Sequence, residues 1–121
     1  MAEHVKLNYF AELIKVHPRT VLRVYTGEAN PNWDEDFDPL LELDAVLAAY
    51  DLDQERYSLL VRGRDRLVTK EELKAAHIIK TDNTFYKRKY PKTIDKGRTV
   101  RYSLRICGEH LAQIKALKGL I

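Results

Sequence analysis

Residues 69–111, TKEELKAAHIIKTDNTFYKRKYPKTIDKGRTVRYSLRICGEHL, contain the clearest structural signals in the chain. Thr69 is followed three residues later by Glu72, and this capping-box pattern marks the first turn of a helix. A second short helix is predicted over about residues 82–88, because Pro91 cannot continue it. The stretch therefore begins with two short helices joined by a turn.

The rest of this stretch predicts a β-hairpin and a longer helix. Residues 93–95 and 98–102 alternate apolar with polar side chains around a turn at residues 96–97, which is a hairpin pattern. Ser103 is placed to cap a final helix, whose apolar residues recur at helical spacing.

The N-terminal half has the same order of elements, with a loop in place of the hairpin. Helices are predicted over residues 7–14, 18–25, 40–50 and 53–61, and an acidic loop over residues 28–39. Pro18 suits the first turn of the second helix, and Gly27 ends it. The shared order is compatible with an internal duplication of about residues 7–52 and 69–117, although the two segments have little residue identity.

Size and composition limit the class of protein. The 121 residues are 45% hydrophobic, which predicts one compact domain or two very small ones. The single cysteine, Cys107, cannot form an internal disulfide, which fits a reducing cytoplasm. No signal peptide is evident in the first ten residues, and no apolar run approaches the roughly 18 residues that span a bilayer. We therefore expect a cytoplasmic protein without a membrane role.

Charge is divided unequally along the chain. Residues 1–60 carry five basic and twelve acidic side chains, and residues 61–121 carry sixteen basic and six acidic ones, so the net charges are −7 and +10. Between Lys80 and Arg105 there are nine Lys or Arg, two Asp and three interleaved Tyr residues. Such a stripe attracts a polyanion and releases its counterions. The alternative is an ordinary solvated basic face.

Several short motifs in residues 68–111 match those of one family of DNA-binding proteins. The motifs are Glu72-Leu73, Thr84-Phe85-Tyr86-Lys87-Arg88, Tyr90-Pro91-Lys92, Gly97-Arg98 and Val100-Arg101-Tyr102. In them the chain resembles the small winged helix-turn-helix proteins of the AlpA and excisionase type, relatives of the MerR DNA-binding domain. Residues 10–23, FAELIKVHPRTVLR, resemble the same kind of motif. The two resemblances together cover roughly half of the chain.

Together with the order of elements, the resemblance implies a mainly α fold with a small β-hairpin wing, built as tandem winged helix-turn-helix-like units. The expected domains are an acidic N-terminal unit over residues 1–61, a linker over residues 62–68 and a basic C-terminal unit over residues 69–121. The implied function is sequence-specific binding of double-stranded DNA, with a recognition helix in the major groove and the wing on the backbone. The implied roles are transcription regulation and the excision or recombination of a phage or mobile element.

The candidate DNA contacts are basic and small polar residues in the turns, recognition helices and wing. They are Lys80, Asn83, Thr84, Lys87, Arg88, Lys89, Lys92, Lys96, Arg98 and Arg101 in the C-terminal half and His17, Arg19, Thr20 and Arg23 in the N-terminal half. Asn is suited to adenine and Arg to guanine in the major groove, whereas the basic residues of the wing suit phosphates.

The chain departs from the family pattern in both halves. The segment from Thr84 to Pro91 is shorter than usual, and the turn at residues 80–83 is longer. In the N-terminal half, residues 28–39 stand in place of the wing and hold five acidic and no basic residues. Because an acidic wing repels phosphate, we expect the N-terminal unit to pack, to dimerise or to meet a basic partner.

Two other functions stay open at this stage. A protein-interaction adaptor would dock a basic protein partner on the acidic segment at residues 28–44. A phage DNA-packaging subunit would use the DNA-binding surface to recognise a packaging site. A homodimer or a cooperative oligomer is also expected on DNA, because one shortened recognition helix reads few base pairs.

No residue pattern supports catalysis, a metal or a cofactor. The run Asp34-x-Asp36-x-Asp38 resembles the start of an EF-hand loop, but Pro39 and Ala45 stand where calcium binding needs Gly and Glu. Zinc-ligand spacing, a phosphate-binding glycine loop and a Ser/His/Asp set are all missing from the sequence. We therefore expect a cytoplasmic, nucleoid-associated DNA-binding protein with no cofactor, and not an enzyme.

Overall fold

The computed structural model describes residues 3–79, 81–96 and 99–119 and divides the chain into two units, Met1–Arg62 and Gly63–Ile121. The described residues form seven helices and five short strands, which pair into one two-stranded and one three-stranded antiparallel sheet. This confirms a small, largely helical fold that contains a β-hairpin. The assignment to tandem winged helix-turn-helix units stays a prediction.

Unit 1, described from residue 3 onward, contains two strands and four helices. They are β1 (His4–Lys6), α1 (Leu7–Ile14), α2 (Pro18–Thr26), β2 (Leu40–Glu42), α3 (Leu43–Ala49) and α4 (Gln54–Val61). β1 pairs antiparallel with β2, so that His4 lies opposite Glu42. Residues 28–39 contain no helix or strand, as their composition predicts.

The core of unit 1 comes from the apolar faces of its helices. Leu7, Phe10 and Ile14 of α1 are fully buried because they recur at spacings of three and four residues. Val21 of α2 is buried with them, and the Tyr50 ring at the end of α3 lies 6.1 Å from the Phe10 ring. Each such side chain stabilises the fold by about 1.5–3 kcal/mol relative to exposure.

The ends of α2 are set by the residues that the sequence predicts. Pro18 occupies the first turn, and His17 Nδ1 accepts a hydrogen bond from Arg19 N at 3.1 Å. Gly27 ends the helix with φ 77°, a left-handed conformation that strains any residue with a Cβ atom.

The predicted helix over residues 40–50 is wrong in its first turn. Residues 40–42 form β2, and α3 begins only at Leu43. The spacing of Leu40 with the later leucines suggested one helical face, but Leu40 is 63% exposed whereas Leu41 is 2% exposed. This alternation fits a strand, and the partner strand β1 lies more than thirty residues earlier in the sequence.

Unit 2, within the described residues, contains three strands and three helices. They are β3 (Leu67–Val68), α5 (Lys70–Ala75), α6 (Asp82–Arg88), β4 (Ile94–Lys96), β5 (Thr99–Ser103) and α7 (Leu104–Gly119). β5 is the central strand and pairs antiparallel with β3 on one side and β4 on the other.

The capping box, the hairpin and the serine cap that the sequence predicts in the C-terminal half are confirmed. The capping box is complete, since Thr69 Oγ1 accepts from Glu72 N at 3.3 Å and Glu72 Oε1 accepts from Thr69 N at 3.3 Å. β4 and β5 form the predicted hairpin, although its turn at residues 97–98 lies outside the described residues. Ser103 caps α7, because its Oγ accepts a hydrogen bond from Ile106 N at 3.1 Å.

The segment assigned from sequence to a linker, residues 62–68, is partly integrated into unit 2. Leu67 and Val68 form β3 and are each 1% exposed, and Asp65 is 6% exposed. These positions are buried because β3 pairs with β5, which lies far away in the sequence. The local composition of the segment gives no sign of this pairing.

The two units share the same backbone connections. In each, the first strand pairs with the strand that directly precedes a helix. The backbone N–H of the first residue of that helix donates a hydrogen bond to the carbonyl oxygen of the residue before the first strand. The distance is 2.8 Å from Leu43 N to Glu3 O in unit 1 and 2.9 Å from Leu104 N to Arg66 O in unit 2. The units differ in that a hairpin in unit 2 stands where unit 1 has the acidic loop.

The turn after the first helix is also alike in the two units. Lys15 and His77 follow α1 and α5 with φ values of 57° and 60°. In each unit the backbone N–H of the next residue closes the turn with a hydrogen bond to a carbonyl oxygen of the helix. Val16 N donates to Ala11 O at 3.0 Å in unit 1, and Ile78 N makes the equivalent 3.0 Å bond in unit 2.

Candidate nucleic-acid interface

α6 is held on unit 2 by a cluster of aromatic rings. Phe85 is 8% exposed, and its ring stacks with that of Tyr90 at 6.0 Å and meets that of Tyr102 edge-on at 5.4 Å. Aromatic pairs at these separations stabilise their relative orientation by about 0.5–1.5 kcal/mol. The helix predicted to enter DNA is therefore fixed to the rest of the unit by its buried face.

The opposite face of α6 is exposed and basic. Tyr86 is 65% exposed, and Lys87 is exposed beside it. Lys89, also exposed, follows the last residue of the helix with φ 50°. Asn83 and Thr84 lie within α6, but their side chains are outside the described part of the structure.

Arg88 differs from its neighbours because it is half-buried and bonded within the unit. Its Nη1 donates to Tyr90 Oη at 3.5 Å, and Tyr90 Oη donates to Ile78 O at 3.1 Å. His110 Nε2 of α7 donates to Arg88 O at 2.6 Å. These bonds tie the C-terminal end of α6 to α7 and to the turn after α5, so that Arg88 has a structural role in addition to its predicted contact.

The hairpin and the residues just before it carry three of the predicted basic residues. Lys92 Nζ lies 3.7 Å from Asp95 Oδ2, and both side chains are about half exposed. Lys96 and Arg101 are half-buried, and Arg101 Nη1 donates to Val100 O at 2.8 Å. Lys80 and Arg98, the remaining predicted contacts of this half, lie outside the described residues.

A concavity of about 660 Å³ opens between the start of α5, α6 and β5. Its basic lining residues are Lys70, Lys89, Lys92 and Arg101. Of the site residues predicted from sequence, the structure thus brings together one from the end of α6 and two from the hairpin. Four cationic side chains and one carboxylate, that of Glu71, line the open depression, and its positive formal charge suits an anionic ligand.

Lys70 is the member of this site that the sequence analysis missed. It occupies the first position of α5, and its Nζ lies 5.6 Å from the Phe85 ring centre and 5.3 Å from the Tyr86 ring centre. A cation at this distance from aromatic faces is attracted by them. The capping box predicts where α5 begins, but no sequence signal predicts that this position faces α6.

The predicted contacts of unit 1 lie on and before α2. Arg19 and Arg23 are exposed and one helical turn apart, and Thr20 is half-buried. The His17 ring packs edge-on against Trp33 of the acidic loop, with ring centres 4.8 Å apart. The acidic loop therefore lies against the N-terminal end of α2.

The acidic loop is bonded to α1 near its C-terminal end and makes a turn within itself. Asn8 N donates to Asp38 Oδ1 at 2.9 Å, and Asp36 N donates to Asp34 Oδ1 at 2.9 Å. Asn32, Trp33, Asp34 and Phe37 line a second concavity of about 410 Å³. This surface combines aromatic rings with carboxylates.

The described residues contain no cluster of His, Cys, Asp and Glu that could hold a metal, and none of their helices has the length and apolar composition of a membrane span. Burial raises the pKa of the Cys107 thiol from 9.0 to about 11, and the nearby charge of Asp65 adds to this shift. Burial likewise raises the pKa of Tyr57 and of Tyr102.

The chain matches no protein-family model, no curated protein and no solved structure.

Proposed function

We propose that unit 2 binds double-stranded DNA, with α6 in the major groove and the β4–β5 hairpin on the adjacent backbone. The observation that supports this most is the basic concavity between α5, α6 and β5. It joins the exposed face of the helix to the hairpin, and its lysines and arginine suit backbone phosphates.

The geometry of α6 favours assembly on DNA. The helix has seven residues, so at 1.5 Å per residue it is only about 10 Å long. A helix of this length reaches few base pairs. Sequence-specific binding by one copy would therefore be weak, and a homodimer or a cooperative oligomer on DNA would supply further contacts.

The proposed biological role is transcription regulation, or the excision or recombination of a phage or mobile element. Its support is the resemblance of residues 10–23 and 68–111 to AlpA and excisionase-type proteins. Recognition of a phage packaging site would use the same surface. Each role needs a protein that finds one DNA site among many, and none requires a catalytic residue or a cofactor.

Alanine variants test the proposed surface. Lys87→Ala on α6 and Lys92→Ala on the hairpin should each weaken duplex binding and reduce the slope of log affinity against log salt by about one. Lys115→Ala removes the same charge from an exposed position of α7 and should leave the slope nearly unchanged. Equal effects of all three variants would mean that affinity depends on total charge alone, and would contradict binding through this particular surface.

A second candidate function is docking of a basic protein segment on unit 1. The indole N–H of Trp33 is shielded from solvent and has no acceptor among the described residues, while the Phe37 ring beside it is 40% exposed. Residues 28–44 contain seven acidic residues and no Lys or Arg. A basic peptide would supply cations for the exposed carboxylates and for the exposed Phe37 ring, beside the buried edge of the indole.

The fluorescence of Trp33, the single tryptophan of the chain, tests this second function. Titration with a nonalysine peptide should shift its emission, and both Phe37→Ala and Asp36→Asn should weaken binding. Glu55→Gln, which removes an exposed charge from α4, is the matched control. Binding that leaves the Trp33 emission unchanged would contradict docking at this loop.

A further inference from the structure

Tyr86 presents an aromatic ring to solvent in the middle of the basic face of α6. It is 65% exposed and is followed by exposed Lys87. An exposed ring costs hydration free energy, and lysine or arginine at this position would serve phosphate binding better. We propose that the Tyr86 ring contacts the C5-methyl group of a thymine in the major groove, which makes it a specificity-determining residue. The inference rests on the proposed function of unit 2.

The ring is held in place by its neighbours. Tyr86 meets Phe85 edge-on, with ring centres 5.3 Å apart and an interplanar angle of 76°. Phe85 is fixed in turn by Tyr90 and Tyr102, and the Lys70 ammonium group lies 5.3 Å from the Tyr86 ring centre. A side chain that is held in this way loses little conformational entropy when it meets a ligand.

DNA offers few groups that an apolar ring can contact. The edges of the bases in the major groove are hydrogen-bond donors and acceptors, except for the methyl group of thymine. The backbone is anionic, and the faces of the bases are stacked. A ring carried into the major groove on α6 therefore finds its complementary surface at a thymine methyl. The phenol hydroxyl of Tyr86 could alternatively bond a phosphate, and the two contacts predict different experimental results.

The test begins with a duplex selected for tight binding to the full-length protein. Each thymine is replaced singly by uracil, which removes one methyl group and keeps the base pair. One replacement should weaken binding of the unaltered protein about fourfold, the effect of one buried methyl-sized group. The same replacement should have no effect on Tyr86→Ala, because the partner of the methyl is missing.

Tyr86→Phe separates the ring from its hydroxyl. It should keep the discrimination between thymine and uracil, since the apolar ring remains. Tyr9→Ala removes an exposed tyrosine of unit 1 and should leave the discrimination unchanged. The far-ultraviolet circular dichroism of each variant should match that of the unaltered protein, because Tyr86 is 65% exposed and Tyr9 is 45% exposed.

Three results would overturn the inference, and they are distinguishable. Tight duplex binding that is insensitive to every uracil replacement would exclude a methyl contact and leave DNA binding intact. Loss of affinity in Tyr86→Phe at all sequences alike, with a uracil effect that persists in Tyr86→Ala, would assign the hydroxyl to a phosphate and the methyl contact to another residue. Absence of any duplex binding would refute the proposed function of unit 2 and this inference with it.

Discussion

Ser103 Oγ donates a 2.6 Å hydrogen bond to Asp65 Oδ2, although the two residues lie 38 positions apart. Asp65 Oδ1 also accepts from Arg66 N at 2.7 Å and from Arg105 N at 3.2 Å. Ser103 Oγ in turn accepts from Ile106 N at 3.1 Å. The pair satisfies backbone donors in the first turn of α7 and joins that turn to the segment before β3.

Loss of the Asp65 carboxylate should destabilise the protein. Asp65→Ala leaves the buried Ser103 hydroxyl and two partly buried backbone N–H groups without this acceptor, so we expect the free energy of unfolding to fall by about 1–3 kcal/mol. Urea unfolding followed by circular dichroism measures it. Asp95→Asn, at a side chain that is 58% exposed, is the control and should change stability by less than about 0.5 kcal/mol. Equal stability of the two variants would contradict a capping role for Asp65.

His77→Gly should stabilise unit 2. His77 adopts φ 60°, where a residue with a Cβ atom is strained by about 1–2 kcal/mol and glycine is not. The greater flexibility of glycine in the unfolded chain offsets part of this gain, so the net increase should be up to about 1 kcal/mol. His77→Val should have the opposite effect, because a β-branched residue is poorly tolerated at positive φ. Thermal melting of the two variants compares them directly.

Cys107 should be unreactive in the folded protein. Its side chain is completely buried, and its pKa of about 11 leaves very little thiolate at pH 8. Labelling with an aromatic disulfide reagent at pH 8 should be slow in buffer and fast in denaturant. Rapid labelling under native conditions would mean that the packing around Cys107 opens readily.

The same thiol should make stability depend on alkaline pH. Burial raises the pKa of the thiol from 9.0 in the unfolded chain to about 11 in the folded one. The protonated thiol therefore makes its full contribution to the free energy of unfolding below about pH 9. That contribution is lost progressively as the pH rises from about 9 to about 11. Cys107→Ala should flatten this part of the stability profile, and an unchanged profile would assign the loss to other groups such as Tyr102.

Asp95→Asn should tighten DNA binding. It removes an acidic group from the hairpin and releases Lys92 from its 3.7 Å ion pair, which is worth less than about 1 kcal/mol at a half-exposed site. The expected gain is about two- to fivefold at low salt and should shrink as salt is added. Fluorescence anisotropy with a labelled duplex measures it.

Glu109→Gln provides the matched control for this change. It breaks an exposed ion pair with Arg105, 3.4 Å long, on α7 of the same unit. Both variants raise the net charge by one. Equal gains in affinity would show that only total charge matters and would contradict a specific role for the hairpin.

Local sequence signals predicted most of the helices. The capping box at Thr69, the proline at position 18 and the serine cap at position 103 each act within a few residues, so they can be read without knowledge of the fold. The hairpin at residues 94–103 was predictable for the same reason, because its strands alternate around a short turn.

The short strands that pair over long distances were not predictable. β1 and β2 have three residues each, too few for a pattern, and Leu40 happened to match the helical spacing of the leucines after it. The burial of Asp65 and the position of Lys70 beside Tyr86 also depend on tertiary contacts. The sequence therefore identified many residues of the basic surface, but not the residues whose positions depend on tertiary contacts.

The most direct test of the central claim is to measure binding of the full-length protein to selected and random duplex DNA at two salt concentrations. The account predicts that the selected site is bound about a thousandfold more tightly than random DNA, with both affinities falling as salt rises. Weak, uniform binding that disappears at moderate salt would contradict sequence-specific recognition by unit 2 and would favour docking of a basic partner on unit 1.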